Sequence, residues 1–170
     1  VTFQSNSQLQ TIDKSAFSFS NLTEITIPRS VTSIGSNSFA SCSSLVSVLF
    51  ESDSVLTVIG SGAFRESGLI SIDIPRTVVF IDAYAFYFSS SLSSVTVQNN
   101  SELRSLGDYA FESCISLESF MFGSESAITS IGNSVFRDSR LLQILIPKSV
   151  ERLGMYTFFG CNSLTSVVFE

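Results

Sequence analysis

Histidine is absent from the 170 residues, which removes the usual general base, the Ser-His and Cys-His nucleophile pairs and the commonest metal ligand. Charge is scarce as well. Only 14% of the residues are charged, and 9 Lys and Arg stand against 15 Asp and Glu, a net charge of -6. With an isoelectric point near 4.6, such a chain has no attraction for a phosphate backbone or an anionic lipid surface, and nucleic acid is excluded as a partner. Mean hydropathy is high at +0.37. No run of eighteen apolar residues occurs, however, so no stretch is long enough to cross a bilayer as a helix, and membrane insertion of this segment is not expected. What the chain does have is 44% hydrophobic residues, which argues against disorder. At 18.5 kDa it can enclose one core, or two small ones, without metals or disulfides.

The apolar residues are set singly among serines and threonines, and they recur with a long period. Leu22, Leu45, Leu69, Leu92, Leu117, Leu141 and Leu164 are spaced by 23, 24, 23, 25, 24 and 23 residues. After Leu22 come Ile25, Ile27, Val31, Ile34 and Phe39; after Leu69 come Ile72, Ile74, Val78, Ile81 and Phe86; after Leu141 come Ile144, Ile146, Val150, Leu153 and Phe158, all at the same offsets. The copies from Leu45, Leu92 and Leu117 hold two more residues after the first strand, between Phe50 and Leu56, Val97 and Leu103, and Phe122 and Ile128. A partial copy with Phe3, Leu9, Ile12 and Phe17 precedes them, and Leu164, Val167 and Phe169 form a last half copy.

Such recurrence aims the same side chains of every copy at one axis. The chain is therefore read as a single solenoid domain over residues 1–170, with about seven repeats of 23–25 residues. Segments such as Glu24-Ile25-Thr26-Ile27 alternate polar and apolar residues and predict half-buried strands pairing in parallel about 4.8 Å apart. Pro28, Pro75 and Pro147 follow the second inward residue, where a strand ends and a missing N–H costs least. Gly35, Gly60, Gly107, Gly132 and Gly154 follow a buried Ile or Leu, which predicts a bend with positive φ. Ser38-Phe39-Ala40 and Ala85-Phe86-Tyr87 are expected to form single helical turns on the outer side. Neither end shows the polar cap that a repeat array needs. Val1 lies in mid-repeat and Val167-Val168-Phe169-Glu170 reads as an uncovered strand. The expectation is a fragment of a longer array, with ends open to end-to-end self-association.

The pattern L-x-x-[IVF]-x-[IVF]-P-x-[ST]-V-x-x-[IL]-G-x-x-x-F-x-x-[CS] is carried by Leu22 to Gly35 with Phe39 and Cys42, by Leu69 to Phe86 and by Leu141 to Cys161. It resembles the BspA-like leucine-rich repeat, and the likeness extends over nearly the whole chain. The resemblance implies an α/β solenoid: a right-handed leucine-rich repeat superhelix with one parallel β-sheet and short helical turns or loops on the convex side. It also implies a cell-surface or secreted protein of bacteria or protists that adheres to host cells, matrix or other microbes, with no family-wide catalytic residues. The chain departs from the better-known leucine-rich consensus in lacking an Asn column after the strand; Ser30, Thr77 and Ser149 stand near that place in some copies only.

The candidate ligand-binding face is the outward column of the sheet, which reads Thr2, Thr26, Leu49, Asp73, Thr96, Met121, Leu145 and Val168. Met121, Leu145 and Val168 fall in consecutive copies, which predicts side chains about 5 Å apart in one exposed apolar patch. Against this, apolar residues on a strand serve β-propensity alone, or are covered by further chain. The two-residue insertions, at Glu51-Ser52-Asp53, Gln98 to Glu102 and Gly123 to Ser126, form a second candidate, a rim on one face. Glu51, Asp53, Glu102 and Glu125 lack the closely spaced loop of a calcium site, so solvated polar loops and no metal are expected.

Cys42, Cys114 and Cys161 each sit three residues after the core Phe, in a column otherwise filled by serine, and never in adjacent copies. The nearest pair is about 10 Å apart, beyond the roughly 7 Å reach of a disulfide. Three free, buried thiols are expected. Asn21 and Asn99 open glycosylation sequons that apply if a eukaryote exports the chain. Tyr84 and Tyr109 share a phase in neighbouring copies and are expected to stack on the outer side, as packing or as a contact platform. Arg29, Arg76 and Lys148 share a phase without adjacency and make separate charges.

The residues thus point to a non-catalytic module, needing no cofactor, with an extended face for a host or microbial surface protein or glycan. A structural spacer or self-assembling scaffold is the alternative. A parallel β-helix enzyme comes third, because the acidic residues drift from column to column instead of converging.

Overall fold

The computed structural model describes residue 3 and residues 6–170; Thr2, the first member of the outward column, lies outside the described residues. Each copy of the repeat forms one coil with two short strands. The longer ones are β2 (Glu24–Ile27), β4 (Ser47–Phe50), β6 (Ser71–Ile74), β8 (Ser94–Val97), β10 (Ser119–Met121), β12 (Gln143–Ile146) and β14 (Ser166–Phe169). They alternate along the chain with two-residue strands: β1 (Thr11–Ile12), β3 (Ser33–Ile34), β5 (Val58–Ile59), β7 (Phe80–Ile81), β9 (Ser105–Leu106), β11 (Ser130–Ile131) and β13 (Arg152–Leu153). The two-residue strands pair in parallel in one continuous seven-stranded sheet, each joined to its counterpart in the next coil. One residue of each two-residue strand from β1 to β11 is buried, as in β3 and β5, where Ile34 and Ile59 are in register; both residues of β13 are exposed. The solenoid therefore has a second parallel sheet in addition to the one expected.

Between the sheets runs a file of phenylalanines. Phe17, Phe39, Phe64, Phe86, Phe111, Phe136 and Phe158 stack ring on ring, with centroids 4.9 to 5.9 Å apart and planes within 16° of parallel. The five central rings are fully buried. Truncating one such ring to alanine costs about 3–5 kcal/mol, and in a stack the loss falls on both neighbouring coils.

The expected helical turns on the outer side do not form, and no helix occurs among the described residues. Instead each coil carries two left-handed residues four positions apart, such as Asn37 (φ 54°) and Ser41 (φ 56°), or Tyr84 (φ 62°) and Phe88 (φ 57°). These residues rotate alternate peptide planes out of a helical arrangement. The N–H groups of Asn37, Phe39 and Ser41 then donate to Ser61, Ala63 and Arg65 of the next coil at 2.8–2.9 Å, while those of Ala40 and Cys42 close turns within their own coil. A left-handed non-glycine residue costs roughly 1–2 kcal/mol; the inter-coil hydrogen bonds that it permits offset that cost and extend the stack.

The glycines also differ from expectation. Gly35, Gly60, Gly107, Gly132 and Gly154 do not have positive φ; Gly62 and Gly160 do. What the column requires is clearance. A Cβ at Gly107 would stand 2.3 Å from Ala83 N, and one at Gly154 would stand 2.4 Å from Gly132, so the coils approach too closely there for any side chain.

The longer strands do not form one sheet. β2 pairs with β4, β6 with β8 and β8 with β10, and β12 with β14, but among the described residues no ladder joins β4 to β6 or β10 to β12. Both breaks fall at a proline coil. At three intact junctions the residue after the strand donates its N–H to the last residue of the preceding strand: Glu51 to Ile27, Gln98 to Ile74 and Glu170 to Ile146, each at 3.1 Å. Pro75 and Pro147 occupy that position after β6 and β12 and have no N–H to give. Replacing Pro147 by Gln supplies the donor. We expect a through-hydrogen-bond NMR coupling from the amide at position 147 to the Phe122 carbonyl. Stability should change by no more than about 1 kcal/mol, because the new bond and the freer unfolded chain nearly cancel.

Candidate functional site

Outward positions of the long strands alternate with buried ones, as in the exposed–buried pattern of β2, β6 and β12. Thr26, Leu49, Asp73, Met121, Leu145 and Val168 are exposed and Thr96 is half-buried. The apolar members are open to solvent to a similar degree, from 48% at Leu145 to 60% at Leu49. Register places Thr26 beside Leu49, Thr96 between Asp73 and Met121, and Leu145 beside Val168. The expected unbroken column is thus cut twice, between Leu49 and Asp73 and between Met121 and Leu145.

Each cut is a cleft. The one between β10 and β12 has a volume of about 430 Å³ and is lined by Met121, Phe122, Ile144, Leu145 and Val168, with Ser119 and Gln143 at its margin. Phe120, at a position where other coils carry Ile or Val, sets its ring edge-on against Phe111 and Phe136 beneath this cleft. The cleft between β4 and β6 is about 200 Å³ and includes Leu49, Ser71, Asp73 and Gln98. It adjoins a larger space of about 560 Å³ under the rim, bounded by Glu51 to Val55 on one side and Pro75, Arg76 and Thr77 on the other.

At these junctions the coils are held by a different device. The hydroxyl of Thr77 lies 3.1 and 2.8 Å from the carbonyls of Ser54 and Leu56, that of Ser30 lies 2.8 Å from those of Ser7 and Leu9, and that of Ser149 donates to Ser126 at 3.0 Å. Each hydroxyl belongs to a proline coil and each acceptor to the coil before it. A side-chain clamp thus stands at each proline coil, the two cleft junctions included. Comparing coil lengths in sequence would have located the clefts, since Pro75 and Pro147 both follow a copy with an insertion.

The insertion side chains are bound to backbone. Glu51 accepts the Arg29 N–H at 3.0 Å, Gln98 the Arg76 N–H at 3.1 Å and Asn99 the Ser124 N–H at 3.0 Å. Among the described residues no three His, Cys, Asp or Glu side chains are placed to hold a metal ion. Asn21 and Asn99 are exposed; Ser101, third in the second sequon, is buried and accepts the Leu103 N–H at 3.1 Å.

The cysteine column is structural. Cys42, Cys114 and Cys161 donate through Sγ to the carbonyls of Phe17, Phe86 and Phe136, at 2.9–3.2 Å, as Ser89 does to Phe64 at 2.8 Å. All three thiols are free. Burial pushes the Cys114 thiol up to about 12, so it stays protonated and unreactive. Cys161 departs from the expected burial: it is half-buried. On the convex side Tyr84 and Tyr109 stack at 4.9 Å, and Tyr87 meets Tyr84 edge-on. Burial first, then Tyr109 and Glu112, push the Tyr84 phenol above its ordinary value.

A family model described as "BspA type Leucine rich repeat region (6 copies)" matches residues 1–92 and 80–170. No curated protein matches the chain. Among solved structures, a leucine-rich cell surface protein from Faecalibacterium prausnitzii superposes with a TM-score of 0.78 at 29% identity, over 95% of this chain and 43% of that one. A leucine-rich repeat protein of T. pallidum gives 0.62 at 24% identity over 85% of this chain and 63% of its own, and one from Eubacterium ventriosum gives 0.50 at 21% over 96% and 58%. The chain thus spans less than two thirds of each of these proteins, and the latter two show likeness of fold alone. With its phased leucine, isoleucine and phenylalanine files and this match along its whole length, the chain belongs to the BspA-type leucine-rich repeat family.

Proposed function

We propose that the chain is a non-catalytic recognition module of a cell-surface or secreted protein. Its sheet face would hold a host or microbial surface protein or glycan in adhesion to host cells, matrix or other microbes. The observation that carries this reading is the apolar cleft between β10 and β12, where Met121, Leu145 and Val168 stand exposed around about 430 Å³. Exposed apolar patches rimmed by polar residues mark interaction sites, and a cleft gives an inserted side chain the desolvated surroundings of an interface anchor. The similar F. prausnitzii protein, described as a cell surface protein, supports the location.

Substituting Met121 and Leu145 together by Lys tests the reading. Both side chains point outward, so the circular dichroism spectrum and melting temperature should not change. Attachment to cells or matrix-coated surfaces should weaken at least about thirtyfold, the equivalent of losing one interface hot spot. Unchanged attachment would favour the spacer.

A specific observation supports the scaffold reading as well. Leu153, Met155, Tyr156, Phe159 and Phe169 are exposed on the last coil, and β14 pairs with β12 alone among the described residues. That face suits a following coil or the first coil of a second copy. Light scattering over rising concentration should give a growing mass if copies stack, and a constant monomer mass if they do not.

A further inference from the structure

The notch above the Pro75 coil carries chemistry that the apolar cleft lacks. The coil of β6 has no insertion, whereas those of β4 and β8 on either side both have one, so the rim dips for the width of one coil between two walls. Beneath the dip, the spaces of about 560 and 200 Å³ share Phe50 and Gln98 and run from the rim to the sheet face. The larger, at about 560 Å³, falls in the range of small-molecule sites, about 300–1,000 Å³.

The groups lining it divide into committed and available ones. Gln98 spends its Oε1 on the Arg76 N–H, which fixes the amide and leaves Nε2 as an oriented donor. Among the described residues, the carboxylates of Asp53 and Asp73 and the guanidinium of Arg76 make no hydrogen bond or ion pair within the chain. Glu51, which also lines the larger space, accepts the Arg29 N–H with one carboxylate oxygen; Asp53, Arg76 and Gln98 in that space, and Asp73 in the smaller one, stand around an apolar floor of Phe50 and Val55, the latter 46% exposed.

We infer that this notch is a carbohydrate site for a neutral saccharide. An anionic ligand that pairs with Arg76 meets the carboxylates of Glu51 and Asp53 in the same space, and a cationic one that pairs with those meets Arg76. A sugar hydroxyl both donates and accepts, so a neutral polyhydroxyl ligand satisfies all four groups, and the C–H face of its ring covers Phe50 and Val55. The inference rests on the reading of this module as a recognition surface, but it uses residues of the coils of β4, β6 and β8, none of which lines the apolar cleft.

The test is a printed array of neutral, sialylated and sulfated glycans with a tetralysine peptide beside them, followed by NMR titration of the isotope-labelled chain with the best neutral binder. The notch predicts neutral glycans as the bound class, with amide shifts at Ser52, Asp53, Arg76 and Gln98. Gln98→Glu keeps the acceptor for Arg76 N–H and removes the donor; it and Arg76→Gln should each weaken binding about tenfold, the equivalent of one lost hydrogen bond to a polar ligand. The Met121 and Leu145 double substitution should leave sugar binding unchanged, so failure of the apolar cleft as an adhesion site would not count against the notch. Three results would overturn the inference: binding of tetralysine or sulfated glycans in preference, shifts centred on β10 and β12 instead of the notch, or no neutral glycan whose binding responds to Arg76→Gln.

Discussion

Every coil of this protein has to set its phenylalanine over that of the coil before it. The seven rings stack at 4.9 to 5.9 Å, from the separation of hydrogen-bonded strands, about 4.8 Å, to about 1 Å wider. The same displacement therefore suits the aromatic file, the seven-stranded sheet and the outer turns at once. Local preferences yield to it. The outer segment gives up helical hydrogen bonds for bonds to the next coil and accepts bulky residues such as Tyr84 and Tyr109 in left-handed conformations. Glycine takes the positions where neighbouring backbones come within contact distance.

Only the long-strand side is free to depart from this register, and it does so at the proline coils. Two sides of each coil remain fastened to its neighbours at β5–β7 and β11–β13 and through the outer turns, so losing the rungs at Pro75 and Pro147 opens a cleft without separating the coils. The hydroxyls of Thr77 and Ser149 hold the junction from the rim side. The two clefts then differ in size and in lining: Met121, Leu145 and Val168 at one, Asp73 and Gln98 at the other, with Arg76 in the adjoining space.

Much of this was legible in the residues. The recurrence of Leu22, Leu45 and Leu69 with their Ile and Phe companions located the inward files, and the alternation in Glu24-Ile25-Thr26-Ile27 located a strand that ends just before Pro28. The outer side was misread for a physical reason: Ser38-Phe39-Ala40 has the length of a helical turn, and the carbonyls of Ser61, Ala63 and Arg65 that compete for its amides lie a whole coil further along the chain. The same distance hid the function of Gly107, whose constraint is Ala83 and not its own φ. From Thr26 to Val168 the column keeps to the outer face of the long strands, but it is not continuous, because a proline that ends a strand also ends its pairing with the preceding coil. Ser30, Thr77 and Ser149 stand near the place of the absent asparagine column, and the carbonyls that their hydroxyls meet lie 21 to 23 residues away in the sequence, beyond the reach of local pattern.

The fold thus rests on hydrogen bonds that run between coils, interrupted where proline withholds a donor. Native-state amide hydrogen exchange along the chain tests that account most directly. It predicts slow exchange at Asn37, Phe39 and Ser41 and their counterparts in every central coil. It further predicts that the amides of β6 and β12 facing the preceding coil exchange faster than those of β4 and β8. Equal protection across all four strands, or fast exchange at Phe39 and Phe86 while the core remains folded, would contradict it.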